Sequence, residues 1–228
     1  MDVLLSSGFL AFARHIGFRR TLLKRSIEIS GICGTSSGSV VGALWANGMA
    51  ESEMIELLNA PRPLSQVDFH WQIWKGFFVF DTFKKRLREV LPERIEDLPI
   101  PFGVGLCTMD RKAIVVTQGN LVDAIAASCA VPYMFHPMPF EGTLYRDGGF
   151  ADRIGALGWA KFRGGSAPPA IAHIVNRSNG VANEVGLDNI PIVRTPRSFA
   201  SLWSIGDFLG QLDEAAAITE AFFEGQST

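Results

Sequence analysis

The run Ile29-Ser30-Gly31-Ile32-Cys33-Gly34-Thr35-Ser36-Ser37-Gly38-Ser39-Val40-Val41-Gly42-Ala43-Leu44 constrains the fold more than any other stretch of this chain. It reads as a short buried strand, an abrupt turn and a helix of small and apolar residues. At its centre, Gly34-Thr35-Ser36-Ser37-Gly38 fits the Gly-x-Ser-x-Gly nucleophile elbow, with Gly34, Ser37 and Gly38 shaping the corner around Ser36. A serine on a sharp strand-to-helix corner points its hydroxyl into open space, and close neighbours there tolerate no Cβ. The helix that follows brings free N–H groups and the positive end of its dipole beside that hydroxyl. A glycine-rich turn that merely closes a helix onto a strand carries the same letters, so the pentapeptide alone leaves both readings open.

The flanks set the fold class. Asp2–Ser6 reads as a first strand, Gly8–Ala13 as a loop, His15–Arg25 as a helix and Ser26–Cys33 as the second strand feeding the elbow. Strand–helix–strand–helix order predicts a parallel sheet with right-handed crossovers, and sites in such sheets gather at the carboxyl ends of the strands. Ser7-Gly8 and Ser36 then share one rim. Asn47-Gly48 caps the elbow helix, a short amphipathic helix starts at Ser52, and Asp81–Leu91 is a helix with a basic outer face. Between them the aromatic stretch Phe69–Phe80 reads either as core or as an apolar lid. Leu98–Cys107 and Lys112–Thr117 read as strands, Leu121–Ala130 as a helix, Leu144–Arg146 and Ala170–Asn176 as strands, and about 198–224 as an amphipathic C-terminal helix. With no repeat or linker in 228 residues, the expectation is one α/β domain over 1–228, a three-layer α/β/α stack on a mostly parallel sheet.

Composition narrows the function classes. A net charge of −2 creates no field that would recruit nucleic acid. No run approaches the ~18 apolar residues of a membrane span. Cys33, Cys107 and Cys129 are odd in number and lack metal-ligand spacing, and the start Met1-Asp2-Val3-Leu4-Leu5 lacks the marks of a signal peptide. The expectation is reduced thiols in a cytoplasmic protein, with no metal and no cofactor. A phosphate-binding turn is disfavoured, because the lysine and hydroxyl residue of the nucleotide loop do not follow Gly38.

A serine nucleophile needs a base. Asp147 stands at a strand end before Gly148-Gly149, and the chain has four histidines, His15, His70, His136 and His173. The order Ser36–Asp147–His173 is that of an α/β-hydrolase triad. Against it, one strand alone precedes the elbow strand, and His173 lies inside Ala170-Ile171-Ala172-His173-Ile174-Val175, which reads as a buried strand. His136, between Phe135 and Pro137, is a candidate to line the pocket.

These residues together resemble a patatin-like phospholipase over roughly residues 2–180. Leu4-Leu5-Ser6-Ser7-Gly8 stands where that family has a strand and a glycine-rich oxyanion loop, and His15-x-Gly17 resembles the start of the next helix. Gly34–Gly38 matches the nucleophile motif, and Ala126-Ala127-Ser128-Cys129-Ala130-Val131-Pro132 the helix and proline turn before the second catalytic strand. Tyr145-Arg146-Asp147-Gly148-Gly149 matches the family's Asp-Gly-Gly, 111 positions after Ser36. The resemblance implies a Ser36–Asp147 dyad without histidine, acting on lipid acyl esters through an acyl-serine, with no cofactor. The implied partners are a lipid or acyl-ester substrate and a transient membrane-surface contact. It further implies an oxyanion hole at Ser7, Gly8 and Phe9. Here the chain departs from the family's Gly-Gly-Gly-x-Arg/Lys-Gly: the aligned residues are Ser7, Gly8, Phe9, Leu10, Ala11 and Phe12. A positive φ at Phe9 would strain the loop, with Arg14 as a stand-in for the missing cation. The alternative function is a relative that binds lipid or fatty acid without efficient turnover.

Overall fold

The structure is a computed structural model that describes residues 1–59, 68–69, 78–177, 184–201 and 203–225. In chain order the elements are β1 (Asp2–Leu5), α1 (Phe12–Lys24), β2 (Gly31–Thr35), α2 (Ser37–Ala46), α3 (Glu51–Leu58), β3 (Asp68–Phe69), β4 (Phe78–Val79) and α4 (Asp81–Arg88). They continue with β5 (Phe102–Thr108), β6 (Ala113–Val116), α5 (Leu121–Ser128), β7 (Met138–Phe140), β8 (Thr143–Asp147), α6 (Ala156–Arg163), β9 (Ala170–Val175), β10 (Ile192–Thr195) and α7 (Phe208–Gly225).

The central sheet runs β10-β9-β1-β2-β5-β8-β7, with β6 also pairing β5. The strands from β10 to β5 are parallel, and β6, β7 and β8 add an antiparallel side. This is the mostly parallel three-layer arrangement expected. Alternation along the strands builds the layers, because successive side chains leave opposite faces. On β1, Val3 and Leu5 enter the larger core beneath α1, α2, α5 and α7, while Leu4 points to the other face. On β2, Ile32 and Cys33 divide the same way. The smaller core joins Leu4, Cys33, Ala172 and Ile174 to Ile154, Ala156 and Trp159, the last two on α6.

Several boundaries differ from expectation: β5 begins at Phe102 rather than Leu98, and α4 ends at Arg88 rather than Leu91. Helix α1 starts at Phe12, ahead of His15, and ends where Ser26 turns to φ +54 and Ile27 N–H closes on the Leu22 carbonyl. That reversal makes 26–30 a connection, so β2 begins at Gly31. Helix α7 begins at Phe208, because 198–207 are taken up by side-chain-held turns at Ser198, Ser201 and Ser204 and by Gly206 at φ +72. Elements α6, β7 and β10 carry weak periodicity and were not expected. Most of the aromatic stretch lies outside the described residues; Phe80, at its end, is buried and stacks on Phe135 with ring centroids 4.1 Å apart.

Candidate active site

Parallel β1 and β2 lie side by side, with Leu5 opposite Gly34. Their carboxyl ends therefore bring the Ser7–Gly8 loop and the elbow to one rim. Ser36 caps α2 at φ +53, ψ −121, a conformation that costs a non-glycine residue about 1–3 kcal/mol and persists only where surroundings impose it. Gly34 and Gly38 are part of that surrounding. A Cβ on Gly34 would strike the Gly38 carbonyl, and one on Gly38 would strike the Leu5 carbonyl, so the tight corner admits no side chain at either place. Ser36 N–H donates to Ser128 Oγ (2.8 Å), whose hydroxyl donates to the Gly105 carbonyl (2.7 Å). Ser128 was expected as part of the helix before the proline turn, with no bonding role assigned. A hydroxyl within the Ala-rich buried run of α5 was the available signal of its bonding role.

Asp147 ends β8, where antiparallel pairing sets it opposite Leu106 of β5. Its N–H donates to the Ala130 carbonyl, fixing it against the turn after α5. Ser36 Oγ donates to Asp147 Oδ2 at 2.7 Å, and Gly149 N–H donates to Asp147 Oδ1 at 2.8 Å. Burial pushes the Asp147 carboxyl up from 3.8 to about 6; the Ser36 and Gly149 hydrogen bonds, then Arg177 and Arg153, pull the other way. Cys129 also lies here, its thiol pushed up by burial and by the Asp147 charge.

No histidine among the described residues lines the cavity around Ser36. His173 lies within β9, fully buried, with Nδ1 2.8 Å from His15 Nδ1 and Nε2 3.0 Å from Thr195 Oγ1. His15 Nε2 is 3.4 Å from the hydroxyl of Ser37, the residue after the elbow serine. Desolvation lowers both, His15 to about 3, so the pair is neutral at pH 7. His136 is not among the lining residues, contrary to its expected place, and His70 lies outside the described residues.

The loop after β1 departs from expectation in three ways. Ser7 N–H is already bonded to the Arg153 carbonyl (2.8 Å), so Ser7 is no free backbone donor. Gly8, Phe9 and Ser37 N–H groups make no hydrogen bond among the described residues. The positive φ falls on Leu10 (+48), one residue past Phe9, because the chain turns there to enter α1. Arg14 does not replace a loop cation. It points into the α1–α7 contact, where Nη1 bonds the Gln211 carbonyl and Glu214. The buried guanidinium beside the loop is Arg153, whose only sequence signal was its place shortly after Asp147-Gly148-Gly149.

Ser36 and Asp147 open onto a cavity of about 440 Å³. Phe12, Leu58, Phe80, Phe83, Val131 and Phe135 supply apolar wall, and the half-exposed Phe9 and Phe150 stand on it with Arg177 and Arg197. A hydroxyl, a buried carboxylate, unbonded N–H groups and an apolar wall in one place suit attack on a carbonyl that carries a hydrocarbon chain.

Known proteins are similar to this chain in sequence or in fold. An uncharacterized NTE family protein of Mycobacterium tuberculosis is 28% identical over 225 residues, covering 92% of this chain and 59% of its own length. The chain therefore spans about six-tenths of that relative. Lysophospholipase NTE1 of Mycosarcoma maydis is 27% identical over 164 residues, 68% of this chain and 9% of its own. Human omega-hydroxyceramide transacylase is 29% identical over 157 residues, 63% of this chain and 29% of its own. Among solved structures, VipD of Legionella pneumophila superposes with a TM-score of 0.63 at 11% identity, covering 98% of this chain and 66% of that one. ExoU of Pseudomonas aeruginosa, in complex with SpcU, gives 0.51 at 12% identity, covering 99% and 52%. Both share the fold. The family model described as patatin-like phospholipase matches residues 3–158, from β1 through the elbow and Asp147 into α6, and the chain belongs to that family.

Proposed function

We propose that this chain hydrolyses lipid acyl esters with Ser36 as nucleophile and Asp147 as its base. The observation that carries the reading is the 2.7 Å hydrogen bond from Ser36 Oγ to Asp147 Oδ2 beside an apolar cavity. Ser36 Oγ attacks the ester carbonyl carbon as its proton passes to Asp147. The carbonyl oxygen becomes an oxyanion that accepts hydrogen bonds from the N–H groups of Ser37, Gly8 and Phe9. Collapse returns the proton to the departing alcohol and leaves acyl-Ser36. A water then gives a proton to Asp147 and attacks the acyl carbon; collapse breaks the bond to Ser36 Oγ, which takes that proton from Asp147, releasing fatty acid and restoring both residues. A free aspartate is a weak base for this step. Burial, which raises Asp147 to about 6, brings it nearer the operating pH while leaving it mostly ionised at pH 7.

The names of the relatives, a lysophospholipase and a ceramide transacylase, both denote acyl chemistry on lipids and support the substrate class. Exposed Phe9, Phe150, Phe199 and Trp203 support a transient membrane contact. A second reading, lipid binding without efficient turnover, draws on the loss of Ser7 N–H as a donor. A fluorophosphonate probe and a panel of nitrophenyl acyl esters separate the two. Ser36-dependent labelling and turnover, both lowered at least about 10³-fold by Asp147→Asn, are the expected result. Full activity of that variant overturns the dyad, and bound lipid without turnover supports the second reading.

A further inference from the structure

We propose that Arg153 is the positioning residue of the oxyanion loop, aiming the Gly8 N–H by holding the Ser7–Gly8 peptide from its carbonyl side. The inference rests on the Ser36–Asp147 reading above. Arg153 is 2% exposed. Its Nη2 donates to the carbonyls of Ser7 (2.8 Å) and Val175 (2.6 Å), and its Nε lies 3.3 Å from Ser7 Oγ. Its own carbonyl accepts the Ser7 N–H at 2.8 Å. One residue thus grips Ser7 at N–H, C=O and hydroxyl. Nη1 is paired with Glu184 at 2.9 Å, and Glu184 is held in turn by Arg194 at 2.8 Å.

The peptide bond supplies the link to catalysis. In a planar trans peptide the C=O of one residue and the N–H of the next point in opposite directions. Fixing the Ser7 carbonyl on the guanidinium therefore directs the Gly8 N–H away from it. Gly8 has no Cβ to resist a turn-over of that peptide, so local sterics do not hold the orientation; the guanidinium does. A charged donor on the carbonyl also polarises the peptide and strengthens the N–H on its far side. The loop lacks the further glycines and the basic residue of the family pattern. Arg153 supplies a cation from the segment that follows the base, which ties the oxyanion loop and Asp147 to one piece of chain.

A lysine has one ammonium where arginine has three nitrogens spread over a plane, so it cannot reach Ser7 Oγ, the two carbonyls and Glu184 together, and Arg153→Lys tests orientation while keeping the cation. Arg153→Met removes both. The test measures kcat, KM and pH profile on a nitrophenyl ester for the full chain and the two variants, with unfolding midpoints for each. The expected result is a fall in kcat of about 10²-fold in both variants with KM within about threefold, the size of one lost oxyanion donor. Arg153→Met should also move the acid limb to higher pH, because a cation that favours ionised Asp147 is gone, while Arg153→Lys leaves the limb in place. The other groups facing Asp147 (Arg177 beyond β9, Cys129 after α5 and Cys107 on β5) are unchanged in both. Wild-type kcat in a folded Arg153→Lys protein overturns the proposal, and so does a change confined to KM. Failure of both variants to fold makes Arg153 a structural pin and overturns it too. Wild-type chain without Ser36-dependent turnover instead overturns the dyad reading, and this proposal with it.

Discussion

A carboxylate sealed beside a hydroxyl carries opposite consequences for rate and for stability. Asp147 is 6% exposed, and its rise from 3.8 to about 6 corresponds to roughly 3 kcal/mol of disfavoured ionisation in the folded chain. That contribution favours folding below pH 3.8 and is lost as pH rises through about 6. At pH 8 the folded chain therefore holds an unfavourable charge, the one the proposed base function requires. Asp147→Asn keeps an oxygen for the Gly149 N–H and removes the charge. The variant should unfold at higher denaturant than wild type at pH 8, by about 1–3 kcal/mol, and match it near pH 4. An unchanged or lower midpoint at pH 8 would show that Asp147 is not the strained group inferred from its burial. In the sequence Asp147 was a candidate base, standing at a strand end before Gly148-Gly149. Its raised proton affinity was not legible there, because that depends on how completely β8 and the turn after α5 remove water from it.

At the scale of elements, the elbow is held by a helix remote from it in sequence. Ser128 on α5 links the Ser36 N–H to the Gly105 carbonyl on β5, so one hydroxyl bridges the elbow serine, a helix and a sheet strand. Ser128→Ala leaves two buried backbone groups without that partner, a cost of about 1–3 kcal/mol. The loss falls on a residue already strained at positive φ, so the corner relaxes first. The expected outcome is a lowered unfolding midpoint together with a fall of about 10-fold or more in fluorophosphonate labelling rate at Ser36. A variant that loses stability and labels at the wild-type rate would place Ser128 in the scaffold alone. The element pattern itself followed from alternation and turn residues in the first fifty positions. Boundaries failed where local bonding competed: Ser26 takes the left-handed turn that ends α1, and the serines around 198–204 bond neighbouring backbone where helix was expected.

Across the whole molecule, acid response is a contest between buried groups of opposite sense. His15 and His173 are buried and neutral, His15 at about 3 against an ordinary 6.5. Below pH 6.5 the unfolded chain binds protons that these folded imidazoles refuse, so their contribution is present above 6.5 and lost as pH falls, for His15 as it nears about 3. Asp147 runs the other way over nearly the same interval. Two imidazoles outweigh one carboxylate, and the unfolding midpoint should fall between pH 7 and pH 4. The fall should be steeper in Asp147→Asn, which lacks the opposing carboxylate; denaturant titrations at four or five pH values check this. A midpoint that rises on acidification would mean that the histidine pair accepts a proton without unfolding.

By itself the sequence determined what is written in neighbouring residues. The glycines of the elbow, the alternation of the strands, the Asp-Gly-Gly turn and the misfit of His173 as a triad member are all local patterns, set by backbone sterics and periodicity. Only the tertiary structure decided which distant groups meet. It seated Arg14 against α7 and Arg153 against Ser7, paired His15 with His173, gave Ser128 its bridging bond and raised the proton affinity of Asp147. Those outcomes depend on through-space distance and on exclusion of water, quantities that a linear order of residues does not contain.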